Sequence, residues 1–148
     1  MSVALEAAAP PDLEALVALR IEAMRESLEA IGRFDPVRAR ERFVSGFAPQ
    51  CTRHIVVDGE RVGFVVVKRD GDALLLDHLY LRPGSQGRGI GAAVLAMVFA
   101  EADAQALPLR VGALRGSASN RFYLRHGFRL VDTGEFDHHY IRGHDRPG

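Results

Sequence analysis

Cysteine is nearly absent from this chain. Cys51 stands alone, so no intramolecular disulfide can form, and a disulfide scaffold or a cysteine-based zinc knuckle is excluded. A reducing, cytoplasmic setting is expected. An excess of charge of either sign is missing too. The 19 basic residues balance 19 acidic ones, which leaves no global field to hold the chain on a phosphate backbone or an anionic membrane. Neither nucleic acid nor membrane is an expected partner. The longest mostly apolar stretch, Gly89 to Ala100, falls far short of the ~20 residues that span a bilayer. The opening MSVALEAAAP carries no Lys or Arg ahead of a long apolar segment, so it is not expected to act as a secretory signal. Fifteen glycines and seven prolines are too few for a collagen-like or low-complexity protein.

What is present is the composition of a folded domain. Hydrophobic residues make up 47% and charged residues 26% of 148 positions, which excludes an intrinsically disordered chain. At this length folding buries roughly 68 to 70% of the surface of the unfolded chain, enough for one core without staples. A single domain over residues 1–148 is expected.

Local patterning sets the elements. After Pro10-Pro11, with Asp12 as N-cap, Leu13, Val17, Ile21, Met24 and Leu28 recur at helical spacing up to Gly32,. Asp35-Pro36 is a cap followed by proline at the first helical position, and opens a shorter helix through Val37, Arg40 and Phe43 to about Phe47,. Both helices are expected before any strand. His54 to Val57, the Asp58-Gly59 turn and Val62 to Val67 read as a hairpin,. A third strand, Ala73 to Leu81, makes an antiparallel meander,. Ile90, Val94, Met97 and Val98 place a helix over Gly89 to Gln105,. Pro108 to Leu114 is a strand reached through that helix, so it runs parallel to the one before it. Ser117 caps a short helix stopped by Gly127, and Phe128 to Val131 pairs with His138 to Arg142,. The expected order is ααβββαβαββ, a mixed α/β (α+β) domain.

Two segments carry chemistry. Gln86-Gly87-Arg88-Gly89-Ile90-Gly91 lies between a strand and a helix start. A helix start has unsatisfied N–H groups and the positive end of a macrodipole, and missing Cβ atoms let phosphate oxygens approach the backbone. Arg88 adds a permanent charge. Taken alone, the run fits a phosphate site and a plain tight turn equally well. It lacks the third glycine of a Rossmann fingerprint and the Gly-Lys-Ser/Thr of a P-loop. The second segment is Asn120-Arg121-Phe122-Tyr123-Leu124-Arg125-His126-Gly127-Phe128. Asn120 and Tyr123 are three apart and share a helix face near its N-terminal end, while Phe122 and Ala118 on another face can supply core contact. Capping for Asn120 and an amphipathic edge position for Tyr123 are the commoner fates of these residue types. Arg125 and His126 read as the charged end of a helix.

Together, in this order, the two segments resemble the GNAT superfamily of N-acetyltransferases. Its Gln/Arg-x-x-Gly-x-Gly/Ala pattern is matched by Gln86, Gly89 and Gly91, and its neighbouring segments by His78-Leu79-Tyr80-Leu81-Arg82-Pro83 and Asn120-x-x-Tyr123 with Gly127-Phe128. The resemblance runs from about residue 12 to residue 142. It implies splayed central strands flanked by helices and acetyl-CoA as cofactor, with the pyrophosphate on Gln86, Gly87, Arg88, Gly89, Ile90 and Gly91. The pantetheine arm would pair with the backbone at Leu79, Tyr80 and Leu81, an edge able to template an extended amide chain, and Asn120 and Tyr123 would complete the cofactor site.

The implied reaction is direct attack of an amine on the thioester. An alkylammonium with a pKa near ~10.4 must first lose a proton. His78 and Asp77 are adjacent on a strand and face opposite ways, so at most one looks into an acceptor cleft. His78 has the better unperturbed pKa for a base, although a packed histidine or a water chain serves the same pattern. Backbone N–H at Leu79 or Tyr80 would stabilise the developing oxyanion, and Tyr123 would act as general acid toward a thiol that is already a tolerable leaving group at a pKa near ~8.5.

Glu135-Phe136-Asp137-His138-His139-Tyr140 collects carboxylates and imidazoles, but His138 and His139 face opposite sides of a strand and cannot easily share an ion, so no metal is expected. Glu135 or Asp137 would instead attract a cationic amine. Arg33, Phe34 and Asp35 lie where this family shapes its acceptor pocket. The expectation is therefore an acetyl-CoA-dependent N-acetyltransferase acting on an amine of a small molecule or a protein. The rivals are a transferase using another acyl-CoA and a non-catalytic CoA-binding sensor or interaction module. A homodimer is the base expectation for assembly.

Overall fold

The computed structural model describes residues 1–30 and 32–143. In chain order the elements are β1 (Val3–Ala7), α1 (Leu13–Ala30), α2 (Pro36–Ser45), β2 (Thr52–Val57), β3 (Glu60–Asp70), β4 (Ala73–Leu81), α3 (Ile90–Ala104), β5 (Leu109–Leu114), α4 (Ser119–Arg125), β6 (Arg129–Thr133) and β7 (Asp137–Arg142). The strands form a seven-stranded, mostly antiparallel sheet in the order β1-β2-β3-β4-β5-β7-β6. The residues group into two compact units, Met1–Val66 with His78–Val94, and Val67–Asp77 with the chain from Leu95 on.

The first unit holds a strand that the expected order omits. Val3 to Ala7 is a strand, so the order is βααβββαβαββ and the two helices do not precede every strand. Its five residues are too few and too Ala-rich for a period-2 signal. Pairing fixes them, with Val3 opposite Val57, Leu5 opposite Ile55 and Ala7 opposite Arg53, so tertiary context outweighs weak local preference. The β2–β3 hairpin turns at Asp58 and Gly59, both left-handed at φ +50° and +85°, as a two-residue hairpin demands.

Helix α1 lays Leu16 and Val17 against Phe43 of α2 and Phe64 and Val66 of β3. Each such fully buried side chain contributes about 1.5–3 kcal/mol. Buried Arg20 donates from Nη1 to the Ala39 carbonyl at 2.9 Å, tying α1 to α2. Asp35 caps α2 as expected: Oδ1 accepts from the N–H groups of Val37 and Arg38 at 3.1 and 3.2 Å, with Pro36 in the first turn. Asp12 does not cap α1. It ends a 3₁₀ turn, Pro10–Asp12, and its carboxylate accepts from Ala9 N–H at 2.9 Å and bonds His54 Nε2 at 3.0 Å. His54 is 4% exposed.

In the second unit β4 runs parallel to β5, with Leu74, Leu75 and Leu76 opposite Leu109, Arg110 and Val111. Strand β7 lies antiparallel between β5 and β6. Leu76, Leu95, Val98, Leu109, Phe128 and Ile141 form its buried interior. Arg142 spans the last strand and α3, forking onto Asp103 at 2.8 and 3.2 Å with its guanidinium 4.1 Å above the Phe99 ring. No described helix is long and apolar enough to cross a membrane.

Two contacts of the first unit can be tested by substitution. A Cβ on Gly63 would collide with the Tyr80 carbonyl and lie 2.8 Å from Leu81 Cδ2. Gly63→Ala should therefore cost about 1–3 kcal/mol through overpacking, read as a lower urea midpoint, and an unchanged midpoint would contradict this close approach. The hydrogen bond from His54, then that from Ala9 N–H, holds the Asp12 carboxyl below its usual value of 3.8. A depressed carboxyl stabilises the fold above 3.8 and loses that contribution as pH falls through the folded value,. Asp12→Asn should lower Tm at neutral pH, with the gap to the parent closing in acid; an equal gap at both would sink the assignment.

Candidate functional site

The Gly-rich segment is the connection from β4 to α3. After β4 the chain makes a 3₁₀ turn, Pro83–Ser85, and α3 begins at Ile90. Gly87 and Gly89 sit at φ +73° and +82° with no heavy atom within 4 Å of where a Cβ would be. These glycines are therefore required by backbone conformation, since L side chains disfavour that region, while the space beside them is open. Gln86, Gly87, Arg88 and Gly89 are exposed, Gly91 is half-buried, and Ile90 is buried as the first anchor of the helix. The first hydrogen bond of α3 runs from Ala93 N–H to the Gly89 carbonyl at 3.1 Å. The N–H groups ahead of it have no intrahelical acceptor.

Gln86 braces the connection from behind, its Nε2 donating to the Leu81 carbonyl at 3.0 Å. Arg82 is held by Glu60 at 2.8 Å. Beside the turn lies a cavity of about 460 Å³ whose walls include Glu22, Glu60, Arg82, Ser85 and Arg88. A turn with open, left-handed glycines, a helix start and an exposed guanidinium is chemically suited to an anion such as a diphosphate.

On β4, Asp77 and His78 have different surroundings, as strand neighbours should. Asp77 Oδ2 pairs with Lys68 Nζ at 3.1 Å. The half-buried His78 ring stands 5.2 Å from Phe43, 5.6 Å from Tyr80 and 6.2 Å from Phe64. That aromatic surround is absent from the sequence reading. The alternation of His78 and Tyr80 on one strand face was its only local signal; Phe43 and Phe64 come from two other elements. Leu79 and Leu81 are half-buried on the same strand.

In the second unit, Asn120 and Tyr123 do share a face of α4. Tyr123 is 6% exposed and packs 5.2 Å from Phe128 and 6.3 Å from Tyr140, ring to ring. Buried Tyr123 supplies the core contact expected of Phe122 and Ala118; Phe122 is half-buried and Ala118 exposed. Asn120 is engaged within the protein. Its Nδ2 donates to the carbonyls of Leu114 at 2.8 Å and Ser117 at 3.0 Å, and its Oδ1 accepts from the Tyr140 hydroxyl at 2.7 Å. Ser117 does not cap α4 with its side chain: the helix starts after Ala118 without any side-chain cap, and Ser117 Oγ instead lies 3.3 Å from Asn120 Nδ2. Burial pushes the Tyr140 phenol above its ordinary value.

The remaining candidates have partners of their own. His138 Nδ1 is 2.9 Å from Thr133 Oγ1, and no three His, Cys, Asp or Glu among the described residues are grouped to hold a metal ion. Glu135 is exposed, and its carbonyl accepts from Arg115 at 3.4 Å. Phe34 lies under the Arg25 guanidinium at 4.8 Å. His126 closes α4, its backbone N–H donating to Phe122 and Tyr123 carbonyls, and its ring stacks 4.8 Å from Phe122.

A mixed sheet flanked by helices, with a Gly-rich strand-to-helix turn and a later Asn-x-x-Tyr helix, defines an acetyltransferase class of fold. Residues 50–130 match the family model of the acetyltransferase (GNAT) domain, and the chain belongs to that family. Solved structures agree in fold. The PaiA N-acetyltransferase from Thermoplasma acidophilum, determined in complex with coenzyme A, is 18% identical with a TM-score of 0.80, covering 97% of this chain and 100% of that one. An acetyltransferase from Thermus thermophilus is 19% identical, TM-score 0.75, covering 96% and 97%. The ribosomal-protein-S18-alanine N-acetyltransferase from Escherichia coli is 16% identical, TM-score 0.74, covering 99% and 97%. No curated protein matches the chain.

Proposed function

We propose that the protein is an N-acetyltransferase that moves an acetyl group from acetyl-CoA to a primary amine of a small molecule or protein by direct attack. The observation that carries this reading is the open turn at Gly87 and Gly89, ahead of α3, in a member of the GNAT family. The donor supplies an activated thioester. The chain's own groups do the rest. Backbone N–H groups from Gln86 to Gly91 hold the diphosphate, and Arg88 adds charge. Backbone groups of Leu79, Tyr80 and Leu81 align the extended arm, a reading supported by the short parallel ladder of β4 with β5, which comprises three pairs among the described residues,. Asn120 retains one lone pair on Oδ1 for an amide of that arm.

His78 takes the proton from the attacking ammonium, as the imidazole whose ordinary pKa suits neutral pH. Its aromatic neighbours limit water around that proton. The N–H of Leu79 or Tyr80 meets the charge that develops on the thioester oxygen. Tyr123 holds the proton that the departing sulfur needs. Mixing the full chain with acetyl-CoA and an amine panel while following free thiol tests the reading: amine-dependent release is expected, and none with any amine would leave a binding protein. Tyr123→Phe should lower kcat about a hundredfold with little change in coenzyme A affinity. An unchanged rate would remove Tyr123 from the mechanism.

A further inference from the structure

Helix α4 carries Tyr123, yet little holds it locally. It spans seven residues, Ser119–Arg125, and begins without a side-chain cap. Isolated helices shorter than ~12–15 residues are marginal in water, so its order must come from tertiary contacts. Asn120 is one anchor of its first turn. Asn120 reaches back to the carbonyls of Leu114, where β5 ends, and Ser117, closing the loop, while its oxygen accepts from the Tyr140 hydroxyl of β7. Tyr140 is itself fixed: it is 3% exposed and sits opposite Val111 and Leu130 in its two ladders. A buried hydroxyl needs a partner, and Asn120 Oδ1 is the acceptor it has.

We propose that Tyr140 is a positioning residue whose hydrogen bond to Asn120 pins the first turn of α4 and so sets the place of Tyr123, one helical turn on. The proposal rests on the reading of Tyr123 as general acid. The Tyr140 ring lies 6.3 Å from that of Tyr123, a contact that Tyr140→Phe keeps, while its hydroxyl bonds Asn120. Tyr140 acts through Asn120, and the two should behave as one device. Burial that raises the Tyr140 phenol keeps it protonated, and therefore a donor, throughout the neutral range,.

Tyr140→Phe removes one oxygen and keeps the ring. In amide hydrogen exchange on the full chain, amides of Ser119 to Tyr123 should exchange about tenfold faster than in the parent, with those of α3 unchanged. In the thiol-release assay kcat should fall about tenfold while KM for acetyl-CoA stays within about twofold, the signature of a misplaced acid. Asn120→Ala should speed exchange of the same amides and, because Asn120 also meets the cofactor arm in the proposed function, should raise KM for acetyl-CoA as well; the kcat of the double variant should be no lower than that of Asn120→Ala alone, because both break one linkage. Should Tyr140→Phe fail to fold, Asn120→Ala carries the exchange test by itself. Parent-like protection across α4 in whichever variant folds, or kinetic losses that simply add, would overturn the proposal. A parent that transfers no acyl group would sink the proposed function, and the exchange result would still judge the linkage between Tyr140 and α4.

Discussion

Two backbone conformations, at Gly87 and Gly89, shape the segment on which the proposed function depends. Left-handed φ values at both positions turn the chain from the end of β4 into α3 within a few residues. The same two glycines are exposed and leave open space beside the start of the helix. In the proposed function an anion there would meet N–H dipoles held by the backbone, the situation in which such groups bind phosphate most effectively. Gln86 stiffens the arrangement by tying its side chain to the Leu81 carbonyl, so strand end and turn are one piece.

Away from the turn, buried and part-buried polar contacts join neighbouring elements. His54 and Asp12 secure the chain ahead of α1 to β2, and Arg20 secures α1 to α2. The same principle recurs at α4, where one amide side chain serves two carbonyls and a phenol. Such contacts add little net energy each, because folding exchanges bonds to water for bonds within the protein. They therefore fix geometry more than they add stability. His78 is different in kind. Its surroundings are rings from α2, β3 and β4, so its position is set by packing.

Features encoded over a few neighbouring residues could be read in advance. Asp35-Pro36 caps α2, Asp58-Gly59 turns the β2–β3 hairpin, and Gly127 stops α4, because each is a local backbone demand met by a particular residue type. The β4-α3-β5 crossover was legible for a similar reason, since chain handedness and helix length leave one sensible arrangement. The Gly-rich turn showed itself as a turn; its meaning came from the company of the Asn120 and Tyr123 segment. Strand β1 was hidden because five Ala-rich residues become a strand only against Thr52–Val57. Asp12 looked like a cap, but His54, distant in sequence, claims its carboxylate. Tyr140 gave no sign, as its partner lies twenty positions away.

Backbone amide chemical shifts of the full chain, followed while coenzyme A is titrated in, test the central claim most directly. The amides from Gln86 to Gly91 should move together and saturate on one binding curve. Saturable binding that leaves those six amides where they were, or no binding at all, would contradict it.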